Sequence, residues 1–250
     1  MNRHLIYDVG MHNGDDSAYY LFRGYRVVAI EASPALCGQA SERFGREIAE
    51  GRLTVLNVAV ADRSGPGKFW INRQDSARSR VFPDAVGPAA WPTVDVQYVR
   101  FRDILRDHGV PYYLKIDIEG QDIHCLRDLD PADTPEYLSV EAHSPVYLAE
   151  LYRLGYRKFK CVLTDGDSGL GALPGWQFKP GTSGPFGEDV PGAWLNFEDT
   201  IFNWVLLERG YWKPCTARAR LLHRLIGALP LHMAARSALP PGAYDFHAAK

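Results

Sequence analysis

The chain has 250 residues, enough for one large domain or two small ones with a substantial core. With 46% apolar and 23% charged residues it has the composition of an ordinary globular protein, which excludes a disordered or fibrous chain. The formal charge of −2 gives no indication of a general affinity for nucleic acid, and no nucleic-acid partner is expected.

The cysteines point the same way. Cys37, Cys125, Cys161 and Cys215 are scattered without a Cys-x-x-Cys pair, so no disulfide scaffold or metal framework is expected and a cytoplasmic setting is. The first strand begins within about five residues, leaving no room for a secretory segment. No apolar run approaches the roughly 20 residues of a membrane span.

Leu5 to Val9 is brief, apolar and bounded by turn residues, and predicts a buried strand that includes Asp8. Gly10 and Gly14 follow. Asp15, Asp16 or Ser17 is expected to cap a helix whose apolar face holds Ala18, Leu21 and Phe22, with Gly24 closing it. A strand, a glycine turn and a helix start form a place where backbone can approach a ligand closely.

The second strand spans Arg26 to Ile30 and ends on Glu31, after which Ser33-Pro34 opens a helix with a stripe at Leu36, Ala40 and Phe44. Glu31 lies 23 positions after Asp8, near the spacing at which nucleotide-binding folds place a ribose-binding acid. A carboxylate suits that task because it accepts two hydroxyl hydrogen bonds; the alternative is a solvated acid at a strand end.

Leu53 to Val60, which contains Asn57, Val58 and Ala59, predicts a third strand too apolar on both faces to be an edge. Residues 62–67 turn the chain into an antiparallel arm at Lys68 to Asn72. Gln74 to Arg80 is a polar loop with Ser76, Arg78 and Arg80, read as lying near a ligand crevice. A strand at Val94 to Arg100 and a helix at Phe101 to His108 come next.

Tyr112 to Asp122 is the second informative stretch. A strand delivers Asp117 to its carboxyl end, and Gly120 turns the chain into a helix. Asp117, Glu119 and Asp122 would repel one another, so their concentration there needs a reason: proton transfer, hydrogen bonds to a polar ligand, or a cation. For Asp122 the simpler reading is a helix cap. Tyr137 to Glu141 is the fifth strand and brings His143 to the same rim, as a general base, a metal ligand or a hydrogen-bonded loop residue.

A helix at Val146 to Leu154 and a strand at Tyr156 to Leu163 precede a long loop. From 164 to 192, glycine and proline supply 12 of 29 residues, with Trp176, Phe178 and Phe186 among them, which points to a lid or binding loop. Asn196 is expected to cap a last helix, Phe197 to Arg209. We place the domain boundary after residue 211. Residues 212–250 read as a basic amphipathic tail, with Arg218, Arg220 and Arg224 among leucines and a loose end from Pro240. Such a helix packs on its own domain, or serves as a peripheral membrane or partner contact.

Alternating strands and helices predict an α/β fold with a doubly wound, mostly parallel sheet, whose ligands bind beyond the carboxyl ends of the strands. Asp8, Glu31, Asp117 and His143 all fall at that edge. At these residues a family resemblance becomes specific. Asp8-Val9-Gly10 with Gly14, Glu31-Ala32-Ser33-Pro34, Asn57-Val58-Ala59-Val60 and Leu114-Lys115-Ile116-Asp117-Ile118-Glu119-Gly120 occur in the order seen in FkbM-type methyltransferases, and Ser183 to Gly187 resembles a segment of some members.

The resemblance covers roughly Leu5 to Glu208 and implies a Rossmann-like class I methyltransferase that uses S-adenosylmethionine, typically to methylate oxygen. It implies that Asp8, Gly10 and Gly14 hold the methionine part, Glu31 the ribose, and Asn57, Val58 and Ala59 the adenine side. Asp117 or His143 is the expected base, with Glu119 orienting a small-molecule or glycan acceptor, and no metal is assigned. A nucleotide-sugar or dinucleotide enzyme and a non-catalytic cofactor-binding module are the alternatives.

Overall fold

The computed structural model describes residues 2–82, 87–164, 172–179, 181–208 and 244–250. Seven strands make one sheet in the order β3 (Leu53–Leu56), β2 (Arg26–Ile30), β1 (Asn2–Val9), β7 (Pro111–Ile116), β8 (Tyr137–Glu141), β12 (Tyr244–Ala249), β9 (Lys158–Leu163). The first five are parallel neighbours, and β12 lies antiparallel between β8 and β9. A second sheet of three strands contains β4 (Ala59–Val60), β6 (Thr93–Val99) and β5 (Gly65–Trp70). The short hairpin β10 (Ala172–Leu173) and β11 (Trp176–Gln177) stands apart.

The pleat sorts the core into two layers, because successive side chains of a strand face opposite sides of the sheet. Leu5, Tyr7 and Val9 pack with α4 (Phe101–His108), α5 (Asp122–Asp128), α6 (Pro145–Arg153) and Trp204 of α7 (Phe197–Glu208). Ile6 and Tyr113 face the opposite layer, formed by α1 (Asp15–Phe22) and α2 (Pro34–Arg43), with α3 (Gly45–Ala49) following. Tyr7 reconciles its hydroxyl with burial by donating to Gly109 O at 2.6 Å.

Several local expectations change. Leu53 to Val60 is two strands, not one. The chain leaves the main sheet at Asn57, whose side-chain amide donates to Glu31 O and Ala32 O at 3.0 and 3.1 Å. Among the described strands β3 is an edge of the main sheet, against the expectation that so apolar a run is interior. The arm at 65–70 pairs with β6, not with the strand before it. Gly14, left-handed at φ 78, occupies the cap of α1, and none of Asp15, Asp16 or Ser17 caps it. The buried face of α1 is Tyr19, Tyr20 and Leu21, while Phe22 is half exposed. Ser33 and Asn196 cap α2 and α7 as expected.

The end of the chain differs most. Residues 244–249, expected as a loose end outside the domain, form an interior strand of the main sheet. The alternation Tyr-Asp-Phe-His-Ala-Ala resembles a solvated segment, but Asp245, Phe246, His247 and Ala248 are all buried. The predicted amphipathic helix lies outside the described residues.

Candidate active site

The carboxyl ends of β1, β2 and β7 are drawn together by backbone. Gly10 N and Met11 N both donate to Ile30 O, at 2.9 and 3.1 Å, and Asp117 N donates to Val9 O at 2.9 Å. Gly10 sits at φ +86, and a Cβ there would lie 1.8 Å from Asp117 O. Only glycine allows β7 to approach this closely. The close approach expected at Gly10 is therefore first an approach of chain to chain. Gly14 likewise leaves room for the Phe44 ring.

Glu31 is buried at the end of β2, with 7% exposure. Its oxygens accept from Ser33 N at 2.7 Å and from His12 N at 2.9 Å. Burial pushes the carboxyl's proton affinity up, and the two N–H donors pull it back. His12 reaches this position through a left-handed backbone, φ 51. A carboxylate has about four lone-pair sites, so both hydrogen bonds leave acceptor capacity on the crevice side.

Two strands over, on β7, Lys115 is buried at 3% exposure. Its ammonium donates to Gly10 O at 3.0 Å and Asp8 Oδ1 at 3.1 Å, and lies 3.5 Å from Asp16 and 3.9 Å from Asp117. Burial opposes the charge, yet the surrounding carboxylates outweigh it and hold the proton on Lys115. Asp8 is fully buried, with its second oxygen accepting from Ser17 Oγ at 2.6 Å. Both Asp8 oxygens are thus engaged inside the protein, one holding Lys115 and the other Ser17.

The same edge carries more acid than one ammonium can neutralise. Asp16 accepts from Ser183 N and Gly184 N at 3.2 and 2.9 Å, yet burial and Asp8 raise it to about 6. Asp245 on β12 is raised to about 7 by burial and then Asp117. Glu141, paired in register with Asp245, is raised to about 9 by burial and the charges of Asp117, Glu119, Asp245 and Asp122. Burial and like charge therefore shift all three carboxyls toward their protonated forms.

Asp117 is the most open of these acids, with 40% of its side chain exposed. Glu119 is more enclosed: its carboxylate is 2.7 Å from Arg80 and 15% exposed. Asp122 caps no helix; it accepts from Ile118 N and Gly120 N and ties the turn after β7. His143 Nε2 lies 2.6 Å from Glu141 Oε1. The 74–80 loop contacts the carboxyl edge of the sheet through His12 Nε2 to Ser76 Oγ at 2.9 Å and through Arg80 to Glu119. Among the candidates for the adenine side, Asn57 and half-buried Val58 lie at the end of β3, and Ala59 is buried as β4 begins. No group of acids, histidines or cysteines among the described residues is arranged to hold a metal ion.

The aromatic residues of the long loop are anchors. Phe186 stacks on Tyr113 with ring centroids 4.2 Å apart, and Trp176 packs against Tyr19 and Phe22. Sequence reasoning missed Lys115, Asp16, Glu141 and Asp245 as members of the site. Lys115 alone carried a signal: a cation inside the apolar run Tyr112 to Ile118.

A doubly wound sheet with one reversed strand beside its last, a glycine turn after the first strand and an acid after the second define a Rossmann-like class I methyltransferase fold. A family model described as the methyltransferase FkbM domain matches residues 8–158. The chain belongs to the FkbM methyltransferase family.

No curated protein matches the chain. Among solved structures it is similar to methyltransferase FkbM from Methylobacillus flagellatus KT, at 18% identity and TM-score 0.42, over 60% of this chain and 36% of that one. It is also similar to S-adenosylmethionine-dependent methyltransferases from Thiobacillus denitrificans and Geobacter sulfurreducens, both in complex with S-adenosyl-L-homocysteine. Those matches have 12% and 13% identity and TM-scores 0.36 and 0.34; each covers 99% of this chain, and 86% and 84% of the other chains.

Proposed function

We propose that this chain transfers a methyl group from S-adenosylmethionine to a hydroxyl oxygen of a sugar, polysaccharide or secondary metabolite. One observation carries the reading: Glu31, the Gly10–Gly14 turn and Asp117 converge on one edge of the sheet, where buried acid exceeds buried cation. The cofactor fits that donor set. Glu31 would accept from the ribose hydroxyls, the backbone of Gly10 to Gly14 would meet the methionine part, and Asn57 to Ala59 would border the adenine.

When bound, S-adenosylmethionine supplies an electrophilic methyl group on a cationic sulfonium. Asp117 and its neighbours would attract that cation to this edge and would hold the neutral thioether left after transfer less strongly. The protein's remaining work is to place the acceptor oxygen in line and to remove its proton. Asp117 and His143 are both at the rim for that step, while Glu119 holds Arg80 across the mouth of the crevice. Ser76, Arg78 and Arg80 form the polar border an acceptor would meet.

The test is incubation with methyl-labelled S-adenosylmethionine and a panel of sugars and glycans, with the product identified by mass spectrometry. The reading expects label on an acceptor oxygen together with S-adenosylhomocysteine. Label on nitrogen or carbon would contradict O-methylation, and no binding of the cofactor would contradict the whole assignment.

A further inference from the structure

The long loop before α7 is pinned to the first turn of α1 by two neighbouring acids. Asp16 accepts from Ser183 N and Gly184 N, whereas Asp15 Oδ1 accepts from Lys179 Nζ at 2.9 Å and lies 2.8 Å from Arg43 Nη1. Between this helix start and the β10–β11 hairpin the loop leaves a cavity of about 190 Å³. Asp15, Arg43, Trp176, Gln177, Lys179 and Thr182 line it, and none of Glu31, Lys115 or Asp117 does. The cavity therefore lies beside the crevice, one residue beyond Gly14 in the chain.

The charges on its wall do not cancel. Two cations share a single carboxylate oxygen, so one positive charge is left over. Burial raises Asp15, yet the hydrogen bonds from Lys179 and Arg43 outweigh it and hold the carboxyl below its usual range. Arg43 spends Nη1 on Asp15 and on Asn13 O, which leaves its Nε and Nη2 donors without a partner among the described residues. Trp176 is held by Tyr19 and Phe22, with ring centroids 5.7 and 5.0 Å away, and gives the cavity one fixed apolar wall. Gln177 and Thr182 add an amide and a hydroxyl. A flat apolar wall, a few polar groups and surplus positive charge complement a sugar ring that carries an acid.

We infer that this cavity holds an acidic sugar residue of a glycan acceptor, with the ring against Trp176 and the carboxylate on Arg43 and Lys179. The inference rests on the methyl-transfer reading and narrows its acceptor class. Since the cavity stands apart from Glu31 and Asp117, the residue held here is not the one that is methylated. The acceptor is then a chain of sugars rather than a single one. A neutral sugar would leave the surplus charge unanswered, and a small inorganic anion would leave the indole uncovered.

Calorimetry on the full chain with trigalacturonate and the neutral trisaccharide maltotriose tests it. The expected result is saturable binding of trigalacturonate alone, weakened as salt screens the exposed cations. Lys179→Gln should weaken it about fivefold, because that ammonium is 66% exposed. Arg43→Gln should cost about tenfold or more, because a planar guanidinium can meet a carboxylate with two bonds. Lys158→Gln, at the exposed start of β9, is the control; a loss there equal to that of Lys179→Gln would reduce the effect to overall charge and overturn the inference. Equal affinity for maltotriose would overturn it without any variant having to fold. So would inorganic phosphate that binds as tightly as trigalacturonate, the mark of a site for any small anion. Titration with S-adenosylmethionine separates this inference from the reading beneath it. Cofactor binding without trigalacturonate binding removes only the acidic-sugar site, whereas trigalacturonate binding without cofactor binding supports the site and removes the methyl-transfer reading.

Discussion

The two halves of the crevice solve the problem of buried charge in different ways. On the β1–β2 side, Glu31 is met by backbone N–H groups from His12 and Ser33, a local arrangement made by one turn and one helix start. On the β7–β8–β12 side, Lys115 sits among Asp8, Asp16 and Asp117, with Asp245 and Glu141 along the same edge, drawn from positions 8 to 245. Neutral donors can hold one anion quietly. A surplus of carboxyls around one ammonium stays buried only by keeping protons or by receiving a cation, and that makes the second half the responsive one.

The largest effect should come from removing the strand that completes the second half. Deleting residues 244–250 takes β12 from between β8 and β9 and strips two ladders at once. We expect loss of the cooperative unfolding transition in denaturant, followed by circular dichroism. A truncated chain that unfolds at the wild-type midpoint would contradict the sheet order.

Next is Lys115→Met. Leaving Asp8, Asp16 and Asp117 without their buried partner should cost about 3–5 kcal/mol of unfolding free energy. The exposed pair offers the contrast: Arg80→Met should cost at most about 1 kcal/mol, since Arg80 is partly solvated. Equal losses in the two variants would erase the distinction between the inner and outer charges.

The same contrast explains what could be read from the sequence. The β1–β2 half is contiguous in the chain, so Gly10, Gly14 and Glu31 stood out through spacing and turn chemistry. For Asp8 the strand end was legible but not its burial against Lys115 and Ser17, because spacing does not tell which way a carboxylate faces. The acid half is built by long-range pairing. Glu141 looked like a strand end and Asp245 like part of a tail, since the register that pairs them joins segments about 100 positions apart. The alternating pattern of 244–249 hid a strand whose polar residues are buried against other polar residues rather than exposed to water.

Smaller effects sharpen the picture at the seam. Gly10→Ala drives a methyl group into Asp117 O and adds left-handed strain, and should cost roughly 2–5 kcal/mol. Gly24→Ala shares a positive φ of +85 but meets no atom within 4 Å, so only the strain of about 1–2 kcal/mol should remain. Urea midpoints of the two variants measure the difference, and equal midpoints would remove the close approach from the argument.

The pH dependence follows from the raised carboxyls. Asp245 keeps its proton up to about pH 7 in the folded chain, whereas the unfolded carboxyl loses it near 4. Between those values the folded state binds the extra proton, so stability falls as pH rises, by about 1.4 kcal/mol per unit for one proton. Asp245→Asn should remove that share of the slope. Unfolding free energies measured from pH 4.5 to 7.5 check it, and an unchanged slope would show that Asp245 ionises normally.

The central claim is that the glycine turn and Glu31 form the cofactor half of a methyl-transfer crevice. Calorimetric titration of S-adenosylmethionine into the wild type and Glu31→Ala tests it most directly. The account predicts saturable binding to the wild type and a loss of about 1–3 kcal/mol in the variant, roughly 5- to 150-fold, from hydroxyls left unpaired. Binding of equal strength in a folded Glu31→Ala chain would contradict it.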